Sequence, residues 1–185
     1  MNYVYNFAAI ADINKLISNP SNSININILG NLNVLEACKI NKVERFIFAS
    51  TVYVYSSQGG FYRCSKQAAE LYIDEYNRVY GLDYTILRYG SLYGPRSDQS
   101  NNIYRIIRQA ITENKITYKG DPNAMREYIY VNDAARVALN VLKKSFANKS
   151  IVVTGTNGKS TTCKLLDHVL KKNEFKCLLG GNIGK

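Results

Sequence analysis

Short apolar runs alternate along this chain with segments of helical periodicity, and no other feature narrows its fold as far. "YVYNFAA" (residues 3–9), "VERFIFAS" (43–50) and "DYTILRYG" (83–90) read as strands. Between them lie "ININILGNLNVLEACKI" (24–40), with apolar residues at helical spacing, and a long helix over 62–80 that Gly81 ends. "NNIYRIIRQAIT" is a further helix. "EYIYVNDAARVALNVLKK" is a strand running directly into a helix, with Asn132 and Asp133 in its first turn as caps. Strands that alternate with helices pair in parallel, so the expected class is an α/β layered sheet.

Composition limits the function classes. At 185 residues the chain suits one domain with a small appendage. No apolar run approaches the ~18 residues needed to cross a bilayer. "MNYVYNFAAIAD" has no basic region followed by an apolar one, so no secretion signal is expected. Cys38, Cys64, Cys163 and Cys177 form no C-x-x-C pair and read as reduced thiols of a cytoplasmic protein. His168 is the only histidine, which argues against triads and metal sites that need one. The net charge of +10 invites a nucleic-acid reading, but half of the excess lies in the last 38 residues. The body is mildly basic, as suits an enzyme handling phosphorylated ligands. It has no basic-aromatic stripe, so neither nucleic acid nor membrane is an expected partner.

Tyr62 and Lys66 lie four residues apart, on one face of the long helix. A nearby ammonium favours phenolate over phenol and lowers a tyrosine pKa toward the working range, where it becomes a competent general base. Thr51, at the C-terminal end of the preceding strand, offers a hydroxyl to orient the same substrate oxygen, and open α/β sheets bind ligands at such strand ends. On spacing alone, a Tyr and Lys on a helix are more often a solvated i,i+4 contact.

Six blocks in order decide the context: "YNFAAIAD", "NILGNLNVLEA", "FIFASTVYVYS", "FYRCSKQAAE", "YGLDYTILRYGSLYGP" and "REYIYVNDAARVAL". Over residues 3–142 the chain resembles the extended short-chain dehydrogenase/reductase family, the NAD-dependent sugar epimerases and dehydratases. The resemblance implies a partial Rossmann-type parallel sheet layered with helices. It also places Thr51, Tyr62 and Lys66 on the catalytic Ser/Thr, Tyr and Lys. Ala8 and Ala9 fall where a strand end passes the cofactor, and Asn27 on a helix asparagine near it. Tyr89, Gly90 and Ser91 lie near nicotinamide and substrate. Arg126 matches an arginine that meets nucleotide-sugar phosphates, with an ion pair to Glu127 as the alternative, and Arg88 reads as structural. The implied chemistry has the Tyr62 phenolate take a proton from a sugar hydroxyl while the carbon bearing it gives hydride to NAD. Lys66 also bonds the nicotinamide ribose. A homodimer through the helices is the implied assembly.

Two departures qualify this. The chain starts at what resembles the family's fourth strand, without the G-x-x-G-x-x-G turn or the acidic ribose residue, so it is expected to bind NAD poorly and NADP stays open. The loop "VYVYSSQGGF" between Thr51 and Tyr62 is short, with Ser56 where glycine commonly follows the tyrosine, which bears on substrate specificity.

After "KKSFANKS" the motif vocabulary changes. "GTNGKST" (Gly155, Thr156, Asn157, Gly158, Lys159, Ser160, Thr161) combines a glycine turn at a helix start with a lysine, an anion site in which Ser160 ligates Mg²⁺. Val153 stands where the Walker pattern wants glycine, so a Gly- and Ser-rich strand-to-helix turn is the alternative. "VTGTNGKSTT" resembles the ATP loop of the Mur ligases, and "GGNIGK" resembles their member that adds D-glutamate to UDP-N-acetylmuramoyl-L-alanine. By that resemblance Asn182 approaches the nucleotide substrate, and ATP and Mg²⁺ are the cofactors. The expected organisation is an epimerase/dehydratase-like domain over 1–147 and a C-terminal β-α-β P-loop-like fragment over 148–185.

Overall fold

A computed structural model describes residues 2–117 and 126–141. The chain divides into two units, ending and beginning at Tyr89 and Gly90.

The first unit is a parallel three-stranded sheet covered by helices. Its elements are β1 (Tyr3–Asn6), α1 (Ile13–Ser18), α2 (Gly30–Ile40), β2 (Arg45–Thr51), α3 (Gly60–Tyr80) and β3 (Asp83–Tyr89). β2 lies between β1 and β3, with Tyr3 opposite Arg45, Arg45 opposite Asp83, and Thr51 opposite Tyr89. Its Phe46, Ile47 and Phe48 are fully buried, as expected of a central strand covered on both faces. Leu35 and Cys38 of α2 and Ala69, Ile73 and Tyr76 of α3 complete the core with Val43 and Leu82. Gly81 ends α3 in the left-handed conformation (φ 69°), its N–H bonding the Asn77 carbonyl at 2.8 Å.

Three elements differ from the sequence reading. The first strand stops at Asn6 instead of residue 9, because the buried Asn6 side chain accepts the Ala8 N–H (3.3 Å) and turns the backbone out of the ladder. α1 was not anticipated; Asp12 caps it by accepting from the Asn14 and Lys15 N–H groups (3.0 and 3.2 Å). The 24–40 helix opens as a π turn over Ser23–Leu29, in which the Gly30 N–H reaches back five residues to the Asn25 carbonyl. The face it buries is also unexpected: Ser23, Asn27 and Asn31 point inward, while Ile24, Ile26 and Leu29 are exposed. A stripe at spacing four thus begins polar and becomes apolar only at Leu35.

The second unit pairs β4 (Ser91–Tyr93) in parallel with β5 (Tyr128–Tyr130), Ser91 facing Tyr128. α4 (Asn102–Glu113) is capped by Asn101, whose side chain accepts the Tyr104 N–H at 3.1 Å. α5 (Val131–Asn140) buries Ala134 and Ala138. Asn132 and Asp133 do not cap it: the helix already begins at Val131, Asp133 pairs with Arg136 (3.1 Å), and the Asn132 amide donates to the Tyr130 hydroxyl (3.4 Å). The expected strand 83–90 stops at Tyr89. A Cβ on Gly90 would come within 2.7 Å of the Glu127 carbonyl oxygen, so only glycine permits that approach. The expected boundary at 147 and the P-loop-like fragment lie outside the described residues.

Candidate active site

Two of the candidate catalytic groups, Thr51 and Lys66, lie toward the C-terminal end of β2. Thr51 is the last residue of β2 and is buried; its oxygen accepts the Tyr53 N–H (3.3 Å) and so starts the 3₁₀ turn Val52–Tyr55. That contact uses a lone pair of the hydroxyl, not its proton. Lys66, 3% exposed, reaches from α3 to the same strand end and donates its Nζ to the Ala49 carbonyl at 2.7 Å. The ammonium also lies 4.4 Å from the Phe48 ring centroid and 5.8 Å from that of Tyr62.

The electrostatics correct the expectation drawn from the Tyr-Lys spacing. Tyr62 is not acidified: burial, then the neighbouring Tyr53 phenol, pushes its pKa up to about 12. The Lys66 ammonium is directed at a carbonyl and an aromatic face, and its own burial pushes it down to about 8 against the opposing charge of Glu70. Proximity along a helix face does not offset the removal of both groups from water.

Asn27 is buried among partners. Its amide donates to the Ile10 carbonyl and to Ser65 Oγ (both 3.0 Å), and its carbonyl accepts the Ile10 N–H at 2.8 Å. It therefore fastens the segment leaving β1 to α3. On that segment Ala8 is exposed and Ala9 half-buried. Tyr89 closes β3, its phenol pushed up to about 12 by burial and then by Tyr5. In the second unit the Ser91 N–H bonds the Glu127 carbonyl at 2.8 Å. Arg126 is exposed, and among the described residues no ion pair joins it to Glu127. Residues 155–161 and Asn182 lie outside the described residues.

The family model of the NAD dependent epimerase/dehydratase family matches residues 1–155. The chain belongs to this family. It is 32% identical to a UDP-glucuronate 4-epimerase of Thermodesulfobacterium geofontis, over 76% of this chain and 47% of that protein. It is 30% identical to a putative UDP-glucose 4-epimerase of Methanocaldococcus jannaschii, over 89% and 58%. Among solved structures, a Thermus thermophilus UDP-glucose 4-epimerase in complex with NAD superposes with a TM-score of 0.72 at 29% identity, covering 95% of this chain and 63% of that one. A Thermotoga maritima UDP-glucose 4-epimerase with UDP-glucose gives 0.69 at 29% identity, over 77% and 52%. The chain spans about half the length of these curated relatives. The Rossmann-type α/β sheet is that of the epimerase/dehydratase family, while no Mur ligase resemblance is borne out by these comparisons.

Part of an epimerase/dehydratase cofactor site fits the residues present. The exit of β1 is lined by small Ala8 and Ala9, which let a planar ring approach the backbone, and a buried cation stands at the neighbouring strand end. Sequence reasoning missed the supports of this site. Glu70, one turn beyond Lys66, accepts from Ser50 and from Arg88 (Nη2 at 2.6 Å, Nε at 3.0 Å), and Arg88 also bonds the Tyr55 hydroxyl. Arg88 thus has the structural role expected of it. The signal for Glu70 lay in its spacing of four from Lys66; Asn6 and Asn31 carried none, since asparagine in an apolar run reads as exposed.

Proposed function

We propose that the protein is an NAD-dependent nucleotide-sugar epimerase or dehydratase in which Thr51, Tyr62 and Lys66 carry the proton chemistry. What supports this reading is Thr51 as the last residue of β2, with Lys66 Nζ bonded to the Ala49 carbonyl of that strand and 5.8 Å from the Tyr62 ring. Bound NAD supplies a hydride acceptor with a positively charged ring. Tyr62 moves the proton: its phenol, raised to about 12, holds its proton at neutral pH, releases it to solvent when positive charge is brought beside it, and as the phenolate then takes the proton of the sugar hydroxyl. Thr51 orients the sugar oxygen with the proton its capping contact leaves available. Lys66 is assigned to the cofactor ribose and Ala8, Ala9 and Asn27 to the wall beside the nicotinamide. Tyr89, Gly90 and Ser91 are assigned to nicotinamide and sugar, and Arg126 to the substrate phosphates. Exposed Leu71, Tyr72 and Val79 of α3 favour a homodimer through helices.

Tyr62→Phe in the whole protein tests this. UDP-sugar interconversion should fall about 10²- to 10⁴-fold, the usual worth of a positioned acid-base group, with the circular dichroism spectrum unchanged. Activity equal to the parent's would remove Tyr62 from the role. The motif at 155–161 supports a second reading, in which Lys159 and Ser160 hold the phosphates and Mg²⁺ of ATP with Asn182 near a nucleotide substrate. ATP-dependent protection of that loop from proteolysis is its test.

A further inference from the structure

Two groups of hydrogen bonds made by buried side chains, joined through the backbone of residues 8–10, run from α2 through the exit of β1 to the turn of α3 that carries Tyr62. Asn6 Nδ2 donates to Asn31 Oδ1 at 2.8 Å, and Asn6 Oδ1 accepts the Ala8 N–H at 3.3 Å. Two residues on, both backbone groups of Ile10 are held by the Asn27 side chain, which also donates to Ser65 Oγ. Ser65 Oγ in turn donates to the carbonyl of Tyr62 at 2.8 Å. Asn6, Asn27, Asn31 and Ser65 are each 7% exposed or less.

We propose that Asn6, Asn27, Asn31 and Ser65 are positioning residues that lock the Ala8–Ile10 segment and the Tyr62 turn into one body. The cofactor-facing wall and the proton-transferring phenol then cannot shift independently. This rests on the functional reading above for what the two segments do, and on the bonds themselves for their coupling.

Three features single this two-part relay out from ordinary packing. It joins residues 17 and 38 apart in sequence through side chains, where helix and sheet ladders make no connection. It occupies the polar half of the stripe Ser23–Asn27–Asn31, where an amphipathic helix would bury aliphatic side chains. Its members accept and donate in sequence, so loss of one leaves a buried neighbour unpaired, the expensive case for a hydrogen bond. Asn31 Nδ2 has no partner among the described residues.

Amide hydrogen exchange on the full chain, resolved by residue, tests the coupling. Ser65→Ala should speed exchange at the Ile10 N–H about tenfold, matching the ~1.4 kcal/mol that one such broken link is worth, although residue 65 does not touch that amide. Ile73→Val is the control, a core change of similar global cost outside the relay. Ser65→Thr, which keeps the hydroxyl, should restore most of the Ile10 protection. Exchange at Ile10 in Ser65→Ala equal to that in the Ile73→Val control overturns the proposal. Should Ser65→Ala not fold, the unmutated protein answers in low denaturant. There Ile10 and the amides after Tyr62 should open with the same denaturant dependence, and different slopes overturn the proposal. Exchange reads the coupling whether or not a dinucleotide binds, so its failure is distinct from a failure of the functional reading.

Discussion

Replacing Lys66 by methionine should stabilise the fold while removing the proposed cofactor contact. Lys66 is 3% exposed, and burial lowers its pKa from 10.5 to about 8. At about 1.4 kcal/mol per tenfold, holding that ammonium charged in the folded state costs about 3 kcal/mol at neutral pH. Methionine has a similar length and keeps the aliphatic packing. It forfeits the bond to the Ala49 carbonyl, worth about 1 kcal/mol. The net expectation is a gain of about 2 kcal/mol near pH 7. The pH dependence has a definite sign. Below pH 8 both folded and unfolded chains hold the lysine proton, and the folded state bears the full cost. Between about 8 and 10.5 the folded state releases the proton and the unfolded state keeps it, so the parent protein gains stability as pH rises. Urea unfolding followed by circular dichroism, on parent and variant together, cancels the titration of all other groups. The gap between them should be widest near neutrality and close towards pH 10. A Lys66→Met protein less stable than its parent by more than about 1 kcal/mol near pH 7 would show that the ammonium's contacts outweigh its desolvation, and would refute the reasoning.

Gly90→Ala should cost about 1–3 kcal/mol and loosen β4 from β5, because the new methyl meets the Glu127 carbonyl oxygen at 2.7 Å. Loss of exchange protection at the Ser91 N–H, which bonds that same carbonyl, is the readout. Glu70→Gln should destabilise by about 1–3 kcal/mol, since the half-buried Arg88 guanidinium loses its charged partner. Urea unfolding of variant and parent at neutral pH will detect the deficit.

The site was legible where chemistry depends on residue type and order. Thr51 at a strand end and Tyr62 and Lys66 on one helix follow from the strand-helix-strand pattern; in the structure Thr51 ends β2, and Lys66 reaches that strand from α3. What the two side chains do to each other was not legible. The spacing of four promised an acidic phenol, yet Lys66 turns to Ala49 and both groups are desolvated, so their pKa values move apart, Tyr62 up to about 12 and Lys66 down to about 8. Asn6, Asn31 and Ser65 escaped notice for a related reason: a short polar residue looks the same in sequence whether it meets water or another buried amide.

By itself the sequence determined the class of fold, the parallel order of its strands and the end of α3 at Gly81. These follow from local periodicity and backbone preference, which each segment carries wherever it sits. Only the tertiary structure decided which face of residues 24–40 turned inward, that β1 would stop at Asn6, and that Gly90 would end β3. Those outcomes depend on partners distant in the chain: Ser65 for Asn27, Asn31 for Asn6 and Glu127 for Gly90. A buried polar group takes its orientation from the hydrogen bond that makes burial tolerable, and that bond exists only once the chain has folded.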